Sequence, residues 1–97
     1  RRVAQEVPAA PADTTWDAPN RTLSTTTMPP GGSRLEAWRT GPGGMPELLL
    51  TAGPGQTSVI IPATITFTPG GLYQLWLVAV NSRGPSLPGP IQNWTAN

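Results

Sequence analysis

The side chains able to do proton or metal chemistry are few and far apart. The chain has five carboxylates, Glu6, Asp13, Asp17, Glu36 and Glu47, and neither histidine nor cysteine. Without those two residue types, the usual zinc sites, cysteine nucleophiles, Ser/His relays and disulfides are excluded. Paired-carboxylate catalysis needs two acids within a few ångströms, one of them with its pKa raised by burial. Nothing in the spacing of these five gives a reason for two to converge. Asp13 and Asp17 are the closest pair, but calcium needs roughly six to eight oxygens gathered from one loop or a meeting of loops. They read as turn and strand-edge charges. The expectation is a non-enzymatic chain with no catalytic residue, no metal site and no cofactor.

The remaining motifs also favour plain readings. "GPGG" and "TPGG" are rich in glycine, but neither is followed by a helix or a lysine, so a phosphate cradle has no helix N-terminus to use. They predict hairpin turns. The basic residues are Arg1, Arg2, Arg21, Arg34, Arg39 and Arg83, with no lysine and a net charge of +1. A nucleic-acid surface needs such charges clustered and interleaved with stacking aromatics, so no nucleic-acid partner is expected. Asn20-Arg21-Thr22 and Asn93-Trp94-Thr95 are acceptor sequences for N-glycosylation in a secreted eukaryotic protein. The use of Arg without Lys, with abundant Ala, Gly and Pro, points instead to a GC-rich bacterial or viral genome.

The elements that must position these residues are strands. Thirteen prolines and eleven glycines leave no window free of helix breakers that also carries apolar residues at helical spacing. Segments rich in Thr, Val, Ile, Leu and Trp alternate with the turn clusters "DAPN", "PPGG", "GPGG", "AGPGQ", "TPGG" and "SRGPSLPGP". Turns about 8 to 15 residues apart are the signature of an all-β sandwich or barrel. In "LYQLWLVAV", Tyr73, Leu75, Leu77 and Ala79 alternate with Gln74, Trp76, Val78 and Val80, so a period of two sends the first set to the core of a central strand. No apolar run reaches the roughly 20 residues of a membrane-spanning helix, and no membrane insertion is expected. Residues 1–12, "RRVAQEVPAAPA", have too little to bury and predict a flexible Pro/Ala-rich linker. They look like the tail of something longer, so the chain is expected to be a fragment or a processed C-terminal piece. Residues 13–97 form the single domain.

The stretch "FTPGGLYQLWLVAVNSRGPSLPG" resembles the turn, penultimate strand and following loop of a fibronectin type III domain. That family carries a Leu-x-Pro-Gly-x-x-Tyr corner, and Phe67, Pro69, Gly70 and Tyr73 stand at the matching positions, with Phe in place of Leu. The likeness continues through "PAAPAD", "RTLSTTTMPP", "SRLEAWRTGPGG", "MPELLLTAG" and "TSVII", and covers residues 8–94. It implies a seven-stranded antiparallel Greek-key β-sandwich with Leu23, Leu35, Ala37, Val59, Ile61, Leu75, Leu77 and Ala79 in the core. Thr27 stands where the family has a buried tryptophan, and Trp16 is expected to fill that space. "PATIT" makes the segment before the corner longer than the family pattern. "SRGPS" sits where some relatives carry an integrin-binding Arg-Gly-Asp, but Pro85 replaces the aspartate.

The same resemblance makes the strands holding Leu35 and Leu75 neighbours. If Leu35 and Ala37 face the core, Glu36 and Trp38 face out, beside Trp76 and Val78. Two tryptophans left in water forgo roughly 1.5 to 3 kcal/mol each, and exposed apolar patches of this kind usually meet a partner. Glu36, Trp38, Trp76 and Val78 are therefore the candidate binding face. The partner implied is a protein surface or another copy of the chain, in an extracellular, cell-surface or virion-surface protein. The alternative is a glycan- or cell-surface-binding accessory module of an adhesin or a polysaccharide-degrading enzyme.

Overall fold

A computed structural model describes residues 6–97. Among the described residues the breaker-rich pattern gives eight strands and no helix. They are β1 (Thr15–Asp17), β2 (Thr22–Ser24), β3 (Arg34–Thr40), β4 (Pro46–Thr51), β5 (Ser58–Ile60), β6 (Leu72–Asn81), β7 (Gly84–Pro85) and β8 (Gln92–Thr95). One sheet has the order β1-β2-β5; the other runs β4-β3-β6-β7, with β8 also on β6. Every pairing is antiparallel. The chain passes from the first sheet to the second between β2 and β3, returns between β4 and β5, and crosses again to β6.

The count is eight rather than seven because the returning strand is broken in two. Five residues separate Val80 from Leu75 on β6, whereas seven separate their partners Pro85 and Gln92. The two extra residues fall in Leu87-Pro88-Gly89-Pro90. Proline has no N–H for a ladder, so the interrupted stretch is held by single bonds, Ser86 N–H to the Ala79 carbonyl at 2.7 Å and Gly89 N–H to that of Leu77 at 2.9 Å.

The core lies between the sheets. Leu23, Val59 and Ile61 enter from one side and Leu35, Ala37, Leu75, Leu77 and Ala79 from the other, none more than 2% exposed. Full burial of a Leu, Val or Ile side chain stabilises by about 1.5–3 kcal/mol. Trp16 packs against this cluster, as do Met28, Phe67 and Trp94, while Thr27 is exposed. The longer segment before the corner folds into a turn in which Ile65 N–H donates to the Pro62 carbonyl at 3.0 Å.

Residues 6–12 of the expected linker lie against the domain; Arg1 to Gln5 lie outside the described residues. Pro8 and Pro11 are buried, Ala9 N–H donates to the Pro30 carbonyl at 3.1 Å, and Asn81 Nδ2 donates to the Glu6 carbonyl at 2.8 Å. Prolines carry no N–H that burial would strand, so a proline-rich strip can lie flat on the domain with few bonds. The composition that suggested solvation also suits docking.

The aromatic corner and the candidate interaction face

The corner before β6 is built by local chemistry. Pro69 supplies the fixed φ of a turn's second position, Gly70 has φ +80° at the third, and Gly71 N–H closes the turn on the Thr68 carbonyl at 2.9 Å. That combination defines a type II turn. It returns the chain so that the Tyr73 hydroxyl accepts the Thr68 N–H at 2.7 Å. The hydrogen bond from Thr68 lowers the phenol pKa, because a donor aimed at the oxygen favours the phenolate.

Tyr73 is 4% exposed and its ring packs closely against Gly41, where a Cβ would stand 2.5 Å from Tyr73 Cε1. Phe67 meets Tyr73 and Trp94 edge-on, at centroid distances of 4.9 and 5.0 Å, and Trp16 stands 5.4 Å from Trp94. Arg21 and Arg39 both lie over the Phe67 ring, 5.2 and 5.1 Å from its centroid. Arg21 also donates to the carbonyls of Ile61, Pro62 and Ile65, and Arg39 to that of Thr66 at 2.8 Å and to Glu47 at 2.9 Å. Guanidinium groups with several planar donors suit this bridging of backbone oxygens. These two arginines carry no signal in the sequence, since their carbonyl partners lie about 27 to 44 residues away along the chain.

The acids do not gather. Asp13 accepts the hydroxyls of Thr25 and Thr26 and the Thr26 N–H, Asp17 accepts from Asn20 at 2.7 Å, and Glu47 pairs with Arg39 at 2.8 Å. The hydroxyl of Thr25 first, then the groups of Thr26, hold the Asp13 carboxyl down to about 2. Among the described residues no group of three acids is placed to hold a metal ion.

On the outer face of the larger sheet, Trp38 stands directly opposite Trp76, and Glu36 opposite Val78. Trp38 Nε1 donates to Glu36 Oε1 at 3.2 Å. The four candidate residues are thus brought together, but the exposed aromatic pair needs correction. Trp76 is only 8% and Val78 only 6% exposed, although neither belongs to the core cluster. The reason is position: β6 has β3 on one side and β7 and β8 on the other, so flanking side chains cover its outward residues. Arg39 plays no part in that cover, being turned to Phe67. Trp38 stays half-buried.

Exposure moves to the flanking segments. Leu48 on β4 pairs with Trp38 and is 44% exposed. On the other flank of β6, Ile91, the residue before β8, is 47% exposed. Leu48, Trp38 and Trp76 make one apolar row across β4, β3 and β6. Neither Leu48 nor Ile91 stands out in the sequence, because both depend on registers that long-range pairing fixes. The sequence matches no protein-family model and no curated protein.

Proposed function

We propose that this chain is a fibronectin type III-like β-sandwich acting as a non-catalytic interaction module of a larger extracellular, cell-surface or virion-surface protein. It packs its outer face against a protein surface or against copies of itself. The two-sheet strand order and the Thr68–Tyr73 corner bond support the likeness. The apolar row of Leu48, Trp38 and Trp76 carries the functional reading, since its exposed Leu48 and half-buried Trp38 are the kind of apolar surface a partner covers. The row also favours a protein over a glycan. Sugar rings stack on open indole faces, whereas here Trp76 is enclosed and the most accessible residue of the row, Leu48, is aliphatic.

Light scattering over a wide concentration range tests the reading on wild type and on Leu48→Ser/Ile91→Ser. Both substitutions lie at exposed positions and spare the enclosed Trp76. Wild type is expected to gain mass with concentration and the double variant, folded by circular dichroism, to remain monomeric. Equal association of the two proteins overturns the row as a contact surface. Polysaccharide binding by wild type that Trp38→Ser abolishes assigns the face to glycans instead.

A further inference from the structure

The N-terminal strip lies on the margin of the sandwich with a burial pattern that is not a strand's. Pro8, Pro11 and Thr14 are buried, whereas Glu6, Val7, Ala9, Ala10 and Ala12 are exposed. A strand on a surface buries every second residue. Burial of every third is the repeat of a polyproline II helix, which has three residues per turn and no internal hydrogen bonds. Pro8-Ala9-Ala10-Pro11 is a P-x-x-P sequence, and its two prolines are the residues turned inward.

The surface beneath is shaped to receive them. Pro11 packs on Gly89, where a Cβ would stand 2.9 Å from Pro11 Cβ, and Gly89 is itself held by its N–H bond to the Leu77 carbonyl at 2.9 Å. Pro8 lies over Gly31, where a Cβ would stand 3.6 Å from Pro8 Cα. Asn81 Nδ2 donates to the Glu6 carbonyl at 2.8 Å. Arg83 N–H donates to Asn81 Oδ1 at 2.7 Å, which turns the amide so that its donor faces the strip. Ala9 N–H adds a bond to the Pro30 carbonyl at 3.1 Å. Shallow seats for prolines and a donor aimed at a carbonyl are the parts of a polyproline II groove. Glycines here stand where such grooves usually place aromatic rings.

We propose that this margin is a recognition groove for extended proline-rich segments of the P-x-x-P type, filled in cis by residues 6–12 and open to the same kind of segment from a partner protein when the strip lifts. The occupant seen in the structure states the ligand's chemistry. Nothing in its contacts depends on its being joined to β1, since the groove reads two prolines, their spacing and one carbonyl. Just beyond, Asp13 is tied to Thr25 and Thr26, and the Thr14 carbonyl accepts from Gln92 Nε2 at 2.8 Å. Lifting therefore stops at Ala12 and leaves the sandwich intact. A tethered occupant competes at an effective concentration in the millimolar range, so the strip also sets how strongly a partner's segment must bind.

The test uses the full chain and, as probe, the free peptide EVPAAPA, with binding read from the amide NMR shifts of Gly31, Asn81 and Gly89. Wild type should bind weakly, because its own strip competes. Pro8→Ser/Pro11→Ser weakens the strip and keeps the groove, so it should bind the peptide at least tenfold more tightly. Adding Asn81→Ala should remove that gain, and a peptide with both prolines replaced by serine should not bind. Ala9→Pro, which loses the bond to Pro30 but leaves the groove residues in place, gives the same comparison if the serine variant does not fold. Equal, weak binding by wild type and a variant whose strip amides exchange freely overturns the groove as a site for a partner. Binding of the serine peptide as tight as that of EVPAAPA overturns the recognition of proline, as does an Ala9 amide that stays protected in Pro8→Ser/Pro11→Ser.

Discussion

Asp13 shows how much one side chain can hold. Its carboxylate takes both hydroxyls and one N–H from Thr25 and Thr26, tying the segment before β1 to the end of β2. Its pKa falls from 3.8 to about 2. A carboxyl depressed on folding contributes stability that is complete above its unfolded value and is lost as pH falls through the folded one. Wild type should therefore lose melting temperature between about pH 4 and pH 2 more steeply than Asp13→Asn, and the two curves should converge at the acid end. Calorimetry across that window checks it. Tyr73 makes the complementary case for a neutral pair. Tyr73→Phe keeps the ring against Gly41 but removes the acceptor of the Thr68 N–H, and since Thr68 is exposed the loss is that of an ordinary hydrogen bond, about 0.5–1.5 kcal/mol. Urea unfolding should show that loss at neutral pH. The corner motif was legible in "FTPGGLY" because turn chemistry is local. The arginines over Phe67 were not, because nothing near Arg21 or Arg39 in sequence names their carbonyl partners.

Among the elements, β6 was the most readable and also the source of the largest correction. Its alternation separates the residues facing the other sheet from those facing away. Alternation says nothing about how many strands flank it, and two flanking neighbours enclose Trp76 and Val78 on the outward side. The split into β7 and β8 had a visible cause in Pro88 and Pro90. The N-terminal strip had no such sign, since its docking depends on Asn81, 75 residues from Glu6. Asn81 Nδ2 donates to the carbonyls of Glu6 and Gly31, and its Oδ1 accepts from Arg83 N–H. Asn81→Ala should release the strip. In hydrogen exchange, the Ala9 amide, bonded to Pro30, is expected to lose protection at least tenfold while the amides of β3 and β6 keep theirs. Unchanged protection at Ala9 would show that Pro8 and Pro11 hold the strip without the asparagine.

For the whole molecule, the margin closed by the N-terminal strip matters most. Contacts of the strip with Asn81, Pro30 and Gly89 close one side, while the large apolar side chains left exposed, Val7, Met45, Leu48, Ile60, Leu72, Leu87 and Ile91, belong to several different segments. The association tests described above belong to this scale, because they ask which side of the sandwich a second molecule meets. By itself the sequence determined the strand-rich architecture, the inward set of Tyr73, Leu75, Leu77 and Ala79, and the lack of any histidine or cysteine chemistry, whereas the corner at Tyr73 and the rest of the core were implied by the family resemblance. What the sequence determined follows from local backbone preference, period-two alternation or composition. Tertiary structure alone decided which outward residues are covered, where the terminal strip lies and which carbonyls the arginines grip. Those depend on strand order and on contacts between residues far apart in the chain, which no local pattern encodes.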